Sequence, residues 1–175
     1  MLFASSLVCI LAGISIPSVL VTVERSRGLA AARYLEGRMA LARAQAVGRA
    51  AIVALFFEQD SRGIWVSVVQ DGNRDGVRTR DIATQVDRLI EPRMLLSELF
   101  PGVAIGLAPQ TPASQPVTLG GTNILSFTPA GTSTSGSVYV LGRDGTQWAV
   151  RVLGVTARVR LLRFVPATGA WANVD

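Results

Sequence analysis

The fold is decided by the stretch LFASSLVCILAGISIPSVLVTV, residues 2–23, and by the pattern that continues out of it. This stretch contains no charged residue, and about 20 apolar residues are enough to cross the roughly 30 Å hydrocarbon core of a bilayer. Membrane helices tolerate a small residue such as Gly13 and a proline such as Pro17. We therefore predict a membrane-spanning helix, with Leu2, Phe3, Gly13 and Pro17 in contact with lipid or neighbouring helices.

The helical pattern does not stop at residue 23. Apolar residues recur at three- and four-residue spacing, namely Leu35, Met39, Ala42, Ala46, Ala50 and Val53. Arginines occupy other positions around the turn, and no proline or turn cluster interrupts residues 24–49. The sequence thus predicts one helix from residue 2 to about 50, whose second half, residues 24–50, is amphipathic.

One alternative to the membrane segment and the question of its orientation remain open. A cleaved signal peptide would have a basic start and a shorter apolar stretch, whereas no basic residue precedes this run and the helix continues beyond it. The orientation is not fixed by charge. Arg25 and Arg27 follow the span directly, which favours a cytoplasmic location for that side, but the rule compares both flanks and only one is present.

The remainder, residues 51–175, has a β pattern. Predicted strands lie at residues 52–57, 64–69, 88–96, 103–107, 124–127, 137–141, 147–153 and 158–165. The break at residues 59–63 and the Asp-Gly pair at residues 144–145 predict hairpins, and residues 109–121 and 129–136 are predicted loops. The expected fold is α+β, with the amphipathic half of the long N-terminal helix packed on an antiparallel β domain.

Composition argues against an enzyme. The chain has no histidine, which removes the commonest general base and metal ligand. Its single cysteine, Cys9, lies in the apolar run, and no nucleophile sits beside a plausible base. All 17 basic residues are arginine and the net charge is +5, which suits an anionic partner but equally reflects codon preference. We expect no enzymatic activity and no resident cofactor.

Residues 2–18, LFASSLVCILAGISIPS, resemble the membrane half of a type IV pilin or pseudopilin helix. Residues 41–46, LARAQA, are similar to the helix end of the GspH/FimT branch. The pattern FTPAGT at residues 127–132, followed by a hairpin and Arg158-Val159-Arg160, is also similar to that branch. These matches are distributed over most of the chain.

The resemblance implies a subunit, often a minor one, of a type II secretion pseudopilus or a type IV pilus. Such a subunit crosses the bacterial inner membrane once, with its C-terminal domain in the periplasm, and packs helix against helix with other pilins or pseudopilins. Family members begin with a basic leader, a peptidase site and a glutamate, which would fall before Met1. We therefore expect a true start upstream, in which case a prepilin peptidase is a further partner.

The second functional hypothesis is DNA binding during uptake. Arg158 and Arg160 alternate on a predicted strand and share one face, with Arg151 and Arg163 as further candidates. In FimT-like members a Gly-Arg-x-Arg motif contacts DNA, whereas Ala157 replaces that glycine here. Co-facial arginines bind phosphates in a salt-dependent manner, although no aromatic residue beside them is evident for stacking bases. The alternative is a solvated or salt-bridged strand face.

One segment has the spacing of a calcium loop. Asp71, Asn73 and Asp75 alternate in D-x-N-x-D-G, with Asp81 next to the position where a bidentate carboxylate is expected. That position itself is Ile82, and arginines are interleaved with the ligands. The alternative is a polar loop whose Asp and Asn side chains bond their own backbone.

Overall fold

The long N-terminal helix is confirmed. The computed structural model of the chain describes the backbone of residues 2–174 and the side chains of residues 23–174. Helix α1 spans Leu2–Arg49 without interruption. The helix ends because Ala50 adopts a positive φ of 48°. Ala50, which the sequence pattern placed in the helix, therefore lies just outside it.

Ten strands and two short helices follow α1 within residues 50–174. The strands are β1 (Val53–Asp60), β2 (Gly63–Gln70), β3 (Arg88–Leu95), β4 (Ala104–Ile105), β5 (Val117–Leu119), β6 (Ile124–Phe127), β7 (Gly136–Leu141), β8 (Gln147–Leu153), β9 (Arg158–Val165) and β10 (Ala170–Asn173). The short helices are α2 (Thr79–Ala83) and α3 (Leu96–Leu99).

The strands form two antiparallel sheets. The first sheet has the order β3-β2-β1-β6, and the second has the order β10-β9-β8-β7-β4, with β5 also paired to β7. Side chains on the inner faces of both sheets join one face of α1 in a single hydrophobic cluster. The expected α+β arrangement, a long helix packed on antiparallel sheets, is confirmed.

The core explains the periodicity of α1. Leu35, Met39, Ala42 and Ala46 are buried against the sheets, as their spacing predicts. Nearer the start of the described side chains, Gly28 lies against Trp148 of β8, and a Cβ placed on Gly28 would lie 2.9 Å from the indole Nε1. The helix therefore approaches β8 at a distance that only glycine permits without a shift.

Three differences from the predicted strands exceed two residues at a strand end. The β1–β2 turn is tighter than predicted and consists of Ser61 and Arg62 alone, because the Asp60 carboxylate accepts bonds from the Arg62 amide and the Trp65 indole, both at 2.7 Å. The predicted loop at residues 109–121 contains β5, whose buried ends pack on β7. Strand β10, which the sequence analysis missed, extends the second sheet beyond β9.

Candidate functional site

The face of α1 turned away from the sheets is exposed and small or apolar. Its members are Ala30, Gly37, Ala40, Leu41, Ala44, Val47 and Gly48. From Gly37 onward they recur at three- and four-residue spacing on the side opposite the core residues, and Arg33 stands between Ala30 and Gly37. Leu41 and Val47 are 45% and 54% exposed. A Cβ on Gly37 or Gly48 would meet no described atom within 4 Å. We call this set the outer stripe of α1.

Three of the four predicted arginines lie on one face of the second sheet. Arg160 of β9 lies directly opposite Arg151 of β8, and Arg158 pairs with Leu153 two residues further along the strands. Because side chains alternate along a strand, Arg158, Arg160 and Arg151 all project from the outer face, away from α1. Arg163 is three residues after Arg160, so its side chain projects from the opposite face. It pairs with Trp148 of the core and lies on the α1 side of the sheet.

The arginines on the outer face are available to an anion. All three are exposed, and no carboxylate among residues 23–174 forms an ion pair with any of them. The Arg151 Nε donates to the hydroxyl of buried Ser137 at 3.2 Å, which fixes the guanidinium on the sheet. Its outer nitrogens remain free to bind a phosphate through two parallel hydrogen bonds.

The residue before this arginine pair has an unusual backbone. Ala157 has a φ of 48°, in the left-handed region that glycine adopts most readily. Its methyl group is nevertheless buried in the core. The alanine that stands in place of the motif's glycine therefore keeps a glycine-like conformation.

An aromatic group also lies on the outer face, which the sequence analysis did not foresee. Trp171 of β10 pairs with Phe164 of β9 and packs on Phe164 and Tyr139, with ring centroids 5.2 and 5.6 Å away. Tyr139 and Phe164 are buried, whereas Trp171 is half-buried. At about 3.3 Å per residue, this ring lies about 13 Å along the sheet from Arg160.

The loop that follows β2 uses its carboxylates for contacts within the loop, to backbone amides and to an arginine. The buried Asp71 accepts hydrogen bonds from the amides of Asn73, Arg74 and Gly76 at 2.7–3.1 Å. Asp75 pairs with Arg78 at 2.8 Å. These contacts correspond to the turn alternative of the sequence analysis.

The predicted calcium ligands do not form a carboxylate cluster. Asp81 lies on α2, where its carbonyl accepts a bond from the Asp87 amide. Within the described part of the chain, no group of three or more His, Cys, Asp or Glu is placed to hold a metal ion. Calcium binding stays a prediction that solution measurements must test.

The membrane prediction concerns residues that are largely outside the described side chains. Leu2, Phe3, Gly13 and Pro17 all lie there, as does the predicted span except for Val23. Among residues 23–174, whose side chains are described, no helical segment is long and apolar enough to cross a bilayer.

Comparison with known proteins identifies the family. The profile described as "Type II transport protein GspH" matches residues 31–156, more than half of the chain. The chain belongs to the GspH family. The match includes the second half of α1 and the strands up to β8, so the GspH branch expected from the helix and the C-terminal pattern is confirmed. Arg158 and Arg160 lie just beyond the matched residues.

The GspH-family chain is also similar to a solved structure. This is the minor pseudopilin EpsH from the type 2 secretion system of Vibrio cholerae, with 16% identity over 78% of this chain and 97% of that chain, at a TM-score of 0.49. Among curated proteins, none matches the GspH-family chain.

Two surface features of this GspH-family chain were not predicted from its sequence. The outer stripe of α1 was hidden because only the buried periodicity was followed, although Ala30, Gly37, Ala40, Ala44 and Val47 repeat in the same register. Trp171 was missed because the strand that carries it has only four residues and follows a Thr-Gly turn.

Proposed function

We propose that the chain is a minor pseudopilin of a type II secretion system. In this proposal residues 2–23 hold it in the bacterial inner membrane, residues 51–175 form its periplasmic domain, and α1 packs among the helices of a filament. Membership of the GspH family supports this role. The observation that carries it is the outer stripe, an exposed small and apolar helix face opposite the face that packs on the sheets.

The outer stripe is suited to contact with another helix. Small side chains such as Gly37, Ala40 and Ala44 allow two helix backbones to approach closely, which increases van der Waals contact. Leu41 and Val47 would lose water-exposed apolar surface, which is worth about 25 cal/mol per Å². Arg33 interrupts the stripe between Ala30 and Gly37, whereas Arg43 borders it. The proposed contact is therefore centred on residues 37–48, with the two arginines at its rim.

A steric and charged block on the outer stripe tests this function. Ala40→Arg and Ala44→Arg each place a long cation on an exposed position, so the isolated subunit should keep its unfolding midpoint. Incorporation of the full chain into filaments, measured by quantitative immunoblotting of sheared fractions, should fall at least tenfold. Ala83→Arg is the matched control, because Ala83 is also an exposed helical alanine but lies on α2. Undiminished incorporation of both stripe variants would contradict the proposal.

A second candidate function is DNA binding by a FimT-like minor pilin. It is favoured by one observation: the three exposed arginines on the outer face of the second sheet form no ion pair with a carboxylate of residues 23–174. Arg151 and Arg160 lie opposite each other, and a phosphate bound there would neutralise the repulsion between their like charges. This function and filament packing use different surfaces, so one chain is able to perform both.

A further inference from the structure

A groove of about 520 Å³ opens between α1 and the last two strands. Its apolar lining consists of Leu29, Trp148, Ala172 and Val174. Its charged lining consists of Arg25 and Arg163, both exposed, and no carboxylate among the described residues lines it. The groove thus combines an apolar wall with two guanidinium groups.

The charges around the groove leave a positive excess at this end of the domain. Arg25 Nε lies 3.8 Å from Asp144 Oδ2, a long contact that leaves 61% of the arginine side chain exposed. Arg163 forms no ion pair with any residue between 23 and 174. Within residues 23–174, the charged groups at this end are Arg25, Arg27, Arg143 and Arg163 against Glu24 and Asp144. Two positive charges therefore remain unbalanced.

The position of the groove along α1 determines which layer of the bilayer it faces. If the span ends at Val23, as proposed, a rise of 1.5 Å per residue places Arg25 about 3 Å and Leu29 about 9 Å beyond the hydrocarbon boundary. The headgroup layer on each side of a bilayer is about 5–8 Å thick. The groove therefore opens at the depth of the phosphates of the outer leaflet.

We infer that this groove binds the headgroup of an anionic phospholipid of the membrane that carries the helix. The inference rests on the proposed membrane attachment. Arg25 and Arg163 bind the phosphodiester through charge-assisted hydrogen bonds, while Leu29, Ala172 and Val174 cover the glycerol and the first acyl methylenes. The contact holds the β domain against the membrane surface before the subunit enters a filament.

Lipid retention by the full chain tests the inference. The detergent-solubilised protein is mixed with phosphatidylglycerol or phosphatidylcholine, and bound lipid is counted by native mass spectrometry. The wild type should retain phosphatidylglycerol at least tenfold better than phosphatidylcholine. Arg25→Gln with Arg163→Gln should lower this retention at least tenfold, since each basic residue near an anionic lipid surface contributes about fivefold.

Two control variants separate the site from other effects. Arg80→Gln with Arg88→Gln removes the same charge from exposed positions outside the groove and should change retention less than twofold. Ala40→Arg, which blocks the outer stripe, should retain lipid like the wild type, so lipid binding and filament packing are judged separately. Equal unfolding midpoints of the variants will confirm that they are folded.

Three outcomes would overturn the inference. One is undiminished retention after both groove arginines are replaced. Another is an equal loss in the Arg80 and Arg88 control, which would assign the effect to net charge. The third is displacement of the lipid by millimolar glycerol 3-phosphate, which would show a site for a free phosphate rather than for the membrane.

Discussion

Arg151 and Arg160 lie directly opposite each other on β8 and β9, with both guanidinium groups on the outer face of the second sheet. Directly opposed like charges on a sheet are destabilising. Ser137 fixes one of the pair by accepting a hydrogen bond from Arg151 Nε, and no described carboxylate compensates the other. A bound phosphate would offset this repulsion, which makes the pair the most direct test of nucleic-acid binding.

Replacing Arg151 and Arg160 by glutamine should abolish retardation of duplex DNA by the detergent-solubilised chain, if the outer face binds phosphates. Wild-type binding should be independent of sequence and should weaken with salt, with a log–log slope of about one for each phosphate neutralised. Electrophoretic mobility at several salt concentrations measures both. Arg80→Gln with Arg88→Gln has the same charge change and should retain binding. Absence of wild-type binding at low salt would exclude this function.

Ala157 provides an independent check on the DNA hypothesis. Because its φ of 48° already lies in the region that glycine adopts readily, Ala157→Gly should change the backbone little and DNA affinity less than twofold. A large gain in affinity would show instead that the alanine holds the arginines in a geometry that is wrong for DNA.

The contact between Gly28 and Trp148 predicts opposite effects of the same substitution at two positions of α1. Gly28→Ala should lower the stability by about 1 kcal/mol. A Cβ 2.9 Å from the indole costs about 1–3 kcal/mol, which exceeds the gain of about 1 kcal/mol from the higher helix propensity of alanine. Gly37→Ala has open space and should raise stability by about 0.5–1 kcal/mol. Denaturation of the full chain in detergent, followed by circular dichroism, compares them. Equal effects would show that the helix does not approach β8 this closely.

The loop at Asp71 should depend on hydrogen bonds rather than on calcium. Asp71→Ala removes the acceptor of three backbone amides and should destabilise the chain by about 1–3 kcal/mol in chelator and in calcium alike. Calorimetry should detect no calcium binding tighter than about 1 mM. Tighter binding that is lost in Asp75→Ala would instead support the predicted calcium site.

The sequence by itself determined the long helix, its buried face and most strands. These features depend on periodicity, which is local: the spacing of Leu35, Met39, Ala42 and Ala46 follows from the helical repeat, whatever they pack against. Strands β8 and β9 were predicted at their observed limits, because their apolar runs are bounded by Asp-Gly and Thr-Ala turns. The helix motif and the C-terminal pattern were likewise sufficient to predict the GspH branch.

Only the tertiary structure decided which side chains share a surface. The opposition of Arg151 and Arg160, the separation of Arg163 from them, and the position of Trp171 all depend on the register of neighbouring strands. Register is set by the turns and by packing across the whole sheet, so residues distant in sequence meet only after folding. The groove beside Arg25 and Arg163 arises for the same reason, since it forms where α1 crosses strands that lie more than one hundred residues away in the chain.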